Sequence, residues 1–213
     1  MNYKIYLLYS FLLFSFNLSG QIKIEWSLNV IKQKADIIIR NESNKNVVIP
    51  IDTTSLQAYF SDDQIIKESN WSENYPFFAL ALQIYNYENQ ERVLTNSSAP
   101  YLDVDELNLK KDSISKKYKD KINSWKIKNR IKKENIAQIN YYLVNNLRFL
   151  EPKDELKFEV AYNLRNITNQ EIGVHDSYIL EKGKKYFGFI SFRTDRTIYD
   201  FLTDDQKKSI KEV

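Results

Sequence analysis

His175 is the single histidine of this chain, and cysteine is absent. Without a second imidazole or any thiolate, one chain cannot assemble a multi-histidine, zinc–thiolate or iron–sulfur site, and it cannot form a disulfide. His175, Asp176 and Ser177 are the residue types of a nucleophilic triad. Sequence neighbours rarely converge as a triad requires, and no G-x-S-x-G elbow accompanies them. Gly183 and Gly188 have the spacing of a phosphate loop, but Phe189 stands where the lysine must be, so nothing reaches a phosphate. Asp103, Asp105 and Glu106 could offer oxygens to calcium. The glycine and spacing of an EF-hand loop are missing, and acids favouring a helix N-terminus are the commoner reading of such a cluster. Trp71, Tyr75, Phe77 and Phe78 put rings in and beside a loop, either as a sugar platform or, more commonly, as a loop closed over the rim of a core. No catalytic residue, metal or cofactor is expected from these patterns. A small hydrolase with two carboxylates far apart in sequence stays open as an alternative.

One stretch stands above this background. From Lys110 to Glu134 there are eleven lysines and arginines against Asp112, Asp120 and Glu134, a net of +8 in a chain whose formal total is +3, which leaves about −5 on the rest. At about 100° per residue, Lys116, Lys119, Lys126, Arg130 and Lys133 share one flank of a helix, with Tyr118, Ile122 and Trp125 turned inward. Such a face can hold an anionic envelope surface, an acidic glycan or an acidic protein. Few aromatics interleave with the lysines, so nucleic acid ranks last as a partner. The bland alternative is a solvated outer face.

The elements that must position this face come next. Gln21 to Ile31 alternates strictly, with Ile22, Ile24, Trp26, Leu28 and Val30 on one face, the mark of a half-buried strand. Ala35 to Ile51 reads as two β-rich runs reversed by Asn41, Ser43, Asn44 and Asn46 and closed by Pro50, which predicts a hairpin at a sheet edge. Phe77 to Tyr87 is a buried strand, Asn96 to Pro100 a loop, and Asn166 to Asp176 a loop. Leu156, Phe158, Val160, Tyr162 and Leu164 alternate as a second strong strand, and Lys185 to Arg193 forms the last one. The strands 22–31, 36–40, 46–51, 77–87, 155–164 and 185–193 are expected in one two-layer antiparallel sandwich that buries Trp26, Phe158, Val160 and Phe192. Leu107, Ile114, Tyr118, Ile122, Trp125, Ile136, Leu143 and Leu147 follow a helical stripe instead. A single helix over this length would outrun such a sandwich, so the spacing predicts two helices broken between Asn129 and Asn135, their stripe docked on the sandwich. Thr203 before Asp204 and Asp205 marks a short final helix.

The strand–Asn41-Glu-Ser43–strand opening, Leu150-Glu-Pro152 leading into 155–164, and Leu180-Glu-Lys-Gly183 leading into Tyr186 together resemble the immunoglobulin-like β-sandwiches of secreted bacterial proteins. Small bacterial proteinase inhibitors share a similar layout. The resemblance implies a mainly β, immunoglobulin-like antiparallel sandwich, here with a helical insertion at about 104–149, and an exported location. It carries over no functional residue, and the antibody-type Cys…Trp…Cys pattern is absent.

Met1 to Gly20 has the layout of a secretory signal: Lys4, an apolar run from Ile5 to Phe16 interrupted by Ser10, and the small pair Ser19-Gly20 before Gln21. The domain would then be 21–213, without a spanning segment, in the periplasm or secreted. The expected function is a non-enzymatic exported binding protein. The alternatives are an inhibitor or immunity-type protein and the hydrolase above.

Overall fold

The computed structural model describes residues 22–29, 32–59, 78–98, 103–164, 168–169, 175–194 and 196–211. The signal-like segment, the rings of Trp71, Tyr75 and Phe77, and Gly173 lie outside these residues. The alternating N-terminal segment forms β1 (Ile22–Asn29), which pairs antiparallel with β2 (Lys34–Asn41), Trp26 facing Ile37. Then come β3 (Val47–Pro50), β4 (Asp52–Ala58), β5 (Ala79–Asn86) and β6 (Thr95–Ser98). Two helices follow, α1 (Val104–Lys128) and α2 (Glu134–Asn146), then β7 (Leu147–Leu150), β8 (Glu155–Ala161), β9 (Thr168–Asn169), β10 (His175–Tyr178) and β11 (Tyr186–Ser191). A 3₁₀ segment (Arg196–Phe201) and α3 (Asp204–Lys211) end the described chain. The protein is mainly β, with few helices.

Among the described residues the strands form sheets β1-β2-β8, β11-β5-β4, β6-β10-β9 and the pair β3-β7. All pairings are antiparallel except β4 with β5, which is parallel, so the expectation of a wholly antiparallel arrangement is corrected at that pair. The apolar faces of the first two sheets share one core. Ala35, Ile37 and Ile39 of β2, Leu56 and Ala58 of β4, Leu80, Leu82 and Ile84 of β5 and Val160 of β8 are buried together. Burial of an aliphatic side chain of this size stabilises by about 1.5–3 kcal/mol, which makes this cluster the main source of fold stability. Val160 is fully inside, as its spacing predicted. Trp26, Phe158 and Phe192 are only half-buried against the same core; for Trp26 the reason is its place on β1, an edge strand with one neighbour.

The hairpin expected at 36–51 does not form. β2 has both edges occupied, by β1 and by β8, while β3 pairs with β7 in another sheet. The polar residues between them reverse nothing; they carry the chain from one sheet to the next. The buried Asn41 amide fixes that passage by donating to the carbonyls of Lys45, Leu150 and Glu151 at 2.7, 3.0 and 2.9 Å. Residues 96–98, expected in a loop, belong to β6 and pair with β10. Gly188 sits at a close approach of β1 and β11: a Cβ there would lie 3.1 Å from the Trp26 ring, which would have to give by a few tenths of an ångström.

A second core lies at the helices. Phe78, Ile139, Leu143, Ile198 and Leu202 are buried together, joining α2, the 3₁₀ segment and the approach to α3. Leu147, assigned to the helical stripe from sequence, instead opens β7.

Candidate functional site

α1 forms because both of its ends are built for it. Asp103 is the N-cap, its side chain accepting from the Asp105 N–H, and Asp105 and Glu106 occupy the first turn while Lys126 and Lys128 occupy the last. Each charge complements the helix dipole at its own end. The acidic trio 103–106 therefore has a structural role, and among the described residues no three His, Cys, Asp or Glu side chains gather as a metal site requires. At the other end Arg130 has φ +55°. The Arg130 N–H donates to the Ile127 carbonyl at 3.2 Å and the Ile131 N–H to the Lys126 carbonyl at 3.0 Å. This is a Schellman stop with Arg130 in the left-handed position. It places the break where the sequence predicted one.

The stripe of α1 docks on α2, not on the sheets as expected. Ile122 is buried, and the Tyr118 and Tyr142 rings lie 6.4 Å apart. Trp125 meets Tyr141 edge-to-face at 5.4 Å and 83°. Its indole N–H donates to Asn140 Oδ1 at 2.8 Å. Asn140 is 0% exposed and forms a reciprocal amide pair with Gln206 of α3, 2.6 Å in one direction and 3.2 Å in the other. Gln206 also closes a capping box with Thr203: its Oε1 accepts from the Thr203 N–H at 2.9 Å and its own N–H donates to Thr203 Oγ1 at 3.3 Å. α3 thus locks the Trp125 ring through Asn140. α1 packs on α2, and α2 packs on β3; the outer face of β1-β2-β8 is largely charged, with Ile38 its one apolar residue from β2. That face carries Glu25 and Glu155 around Arg40, with Lys23 and Lys157 outside them. The hydrogen bond from Lys23 holds the Glu25 carboxyl below its usual range, and that from Lys157 does the same for Glu155.

Towards its N-terminus the described side chains of α1 face solvent. Val104, Asp105, Glu106, Asn108, Leu109, Lys110, Lys116 and Lys117 are all exposed. Of the five cations nominated from sequence, Lys116, Lys119 and Lys126 lie along one flank of α1, the first two exposed and Lys126 half-buried. Arg130 and Lys133 are exposed but lie past the helix end, Arg130 in the stop and Lys133 as the N-cap residue of α2. Sequence reasoning missed the other flank. Lys117 and Lys121 lie over the Tyr118 ring at 5.3 and 5.8 Å, and Lys128 over Trp125 at 5.9 Å. Their spacing, on the far side of the aromatic stripe in the same projection, was the available signal. Between this flank and α2 lies an open groove of about 400 Å³, lined by Asp120, Lys121, Ser124, Trp125, Lys128 and Tyr141. Among the described residues Lys121 and Lys128 have no ion-pair partner.

The other sequence candidates settle differently. His175, Asp176 and Ser177 are consecutive in β10, and strand alternation turns Asp176 to the face opposite Ser177. Asp176 is buried and the Ser177 hydroxyl donates to the Asn96 carbonyl at 3.1 Å, so the three form no triad. Phe78 is core, not a platform. A ring cluster absent from the sequence reading does lie on the outer face of β5-β11. Tyr85 stacks on Phe187 at 5.5 Å, and Phe189 and Tyr87 adjoin them at 53% and 60% exposure.

No protein-family model, no curated protein and no solved structure matches this chain.

Proposed function

We propose that this is an exported, non-enzymatic binding protein, an immunoglobulin-like β body from which a basic helix is presented to an anionic surface or acidic partner. The observation that carries the reading is α1 itself. It is a 25-residue helix, about 37 Å long, packed along its C-terminal part on α2 and exposed along its N-terminal part. It carries eight lysines against Asp105, Glu106, Asp112 and Asp120, a net of +4, and leads into Arg130, Lys132 and Lys133, in a chain that is otherwise acidic. A cationic rod of this kind attracts polyanions over a Debye length of about 8 Å at physiological ionic strength, and salt weakens the attraction. No helix among the described residues is long and apolar enough to cross a membrane, so membrane contact through these helices would be at the surface. The test is co-sedimentation with anionic vesicles and with an acidic polysaccharide at low and moderate salt. The protein should pellet with at least one of them at low salt. The fivefold variant K116E/K119E/K126E/R130E/K133E should stay in solution. Equal behaviour of the two proteins overturns the proposal.

The exposed rings of Tyr87 and Phe189 beside the half-buried Phe187 favour a second reading, an inhibitor or immunity-type protein that docks an apolar partner surface on the β5-β11 face.

A further inference from the structure

We infer that the groove between α1 and α2 is a subsite for one acidic sugar residue of a glycan, with Trp125 and Tyr141 as its floor and Lys121 and Lys128 as its charge clamp. The inference rests on the anion-binding reading above and names the class of polyanion. Trp125 and Tyr141 meet edge-to-face at 83°, so the groove offers aromatic surface in two orientations. An aromatic face is negative at its centre and attracts positive groups; the Trp125 face holds the Lys128 ammonium at 5.9 Å, and the weakly positive C–H side of a pyranose takes that place as Lys128 turns to the acid group. Lys121 and Lys128 are seven residues apart on one helix, about 10 Å along its axis, and they bracket Trp125. Among the described residues neither ammonium is neutralised by an ion pair. A carboxylate or sulfate on the sugar supplies the missing charge through a charge-assisted hydrogen bond. Asp120 and Ser124, also lining the groove, bond sugar hydroxyls, and Asp120 keeps the local net charge at +1, suited to a monoanionic residue. The volume of about 400 Å³ falls in the range of small-ligand sites.

A bilayer is the weaker fit for this groove. Membrane insertion requires a ring free to turn outward, whereas the Trp125 indole is tied at 2.8 Å to Asn140, itself fully buried and paired with Gln206. The same tie keeps the ring in place before a ligand arrives, which lowers the ordering cost of binding.

The test uses the three tryptophan indole N–H signals in a ¹⁵N NMR titration, with that of Trp125 identified by Trp125→Phe. A uronic-acid tetrasaccharide should shift the Trp125 signal and leave those of Trp26 and Trp71 in place. The corresponding neutral tetrasaccharide should bind at least tenfold more weakly. K121Q/K128Q, two surface changes, should lose about tenfold in affinity for the acidic oligomer with an unchanged circular dichroism spectrum, and Tyr141→Ala should lose a similar factor. An equal response to the neutral oligomer, a stronger response to a mononucleotide, or no effect of K121Q/K128Q overturns the subsite. If the subsite fails while the fivefold variant still abolishes polyanion sedimentation, the anion-binding reading stands alone. If neither the vesicles nor the polymer pellet the protein and the oligomer does not bind, both fall. Oligomer binding that survives the fivefold variant supports the subsite as a separate contact.

Discussion

The side chain of Asn41 makes five hydrogen bonds. Its Nδ2 donates to the carbonyls of Lys45, Leu150 and Glu151, and its Oδ1 accepts from the N–H and the hydroxyl of Ser43 at 3.1 and 2.6 Å. Its backbone bonds Asp154 and Lys153 at 3.0 and 2.9 Å. One residue therefore ties the end of β2 to the turn between β7 and β8, far along the chain. Removing the amide strands the buried Leu150 carbonyl, at a cost of about 1–3 kcal/mol, and also releases the part-buried carbonyls of Lys45 and Glu151. Asn41→Ala should destabilise by about 2–4 kcal/mol, measured by urea unfolding, whereas Ser43→Ala should cost under about 1 kcal/mol. Tyr178 gives a pH-dependent counterpart. Its hydroxyl donates to the Leu82 carbonyl and accepts from the Tyr59 N–H at 3.0 Å, and burial pushes its pKa up to about 12. A folded pKa above the unfolded value of about 10 means that the neutral phenol is the form the fold holds. The stabilisation is complete below pH 10 and is lost as pH rises through 12. Tyr162 and Tyr199 shift upward by burial in the same sense. Urea midpoints should therefore fall steeply between pH 10 and 12, and Tyr178→Phe should flatten that fall while lowering stability at pH 7 by about 1–2 kcal/mol.

Among the elements, the α1 stop is where sequence and structure meet most closely. The amphipathic stripe becomes imperfect near Asn129, and the chain ends α1 there with Asn129 bonding back to the Trp125 carbonyl through both its N–H and its side chain. Arginine in the left-handed position costs about 1–2 kcal/mol that glycine does not pay. Glycine loses about 0.4–1 kcal/mol through its freer unfolded state. Arg130→Gly should thus leave stability unchanged or raise it by up to about 1 kcal/mol in a thermal melt, and Arg130→Val should lower it. The stripe was legible because α1 has a polar outside, and the break because its pattern faltered. The docking partner was not legible: an apolar stripe states that something covers it, and both a sheet and a neighbouring helix satisfy that demand. The strands show the same division. Alternation located 155–164 and 22–31 to within a few residues of β8 and β1. It carried no information on whether β2 would pair with β3 or with β8, because backbone hydrogen bonds are identical for every pair.

For the whole molecule, the charge asymmetry has a place but not yet an address. The +8 stretch runs along α1 and through its stop into the start of α2, while Glu25, Glu155, Arg40, Lys23 and Lys157 on β1-β2-β8 pair among themselves. An exported location would put that helix against envelope polymers instead of nucleic acid. Protein recovered from its native host should begin at Gln21, read by N-terminal sequencing or intact mass; an intact Met1 removes the export proposal. Sequence alone determined the excluded chemistry, because absent residue types cannot be supplied by folding: no thiolate, no second imidazole, no glycine-cradled lysine. It also determined the mainly β character, the two helices and the position of their break, since hydrophobic period and end signals are local. Tertiary structure alone decided that Asn41 joins sheets instead of turning a hairpin, that α1 rests on α2, and that Lys121 and Lys128 flank a groove with an aromatic floor. Those facts depend on residues far apart in the chain, Trp125 with Tyr141, Asn140 with Gln206, Asn41 with Leu150. No periodicity encodes which distant partner an exposed face or a buried amide will meet.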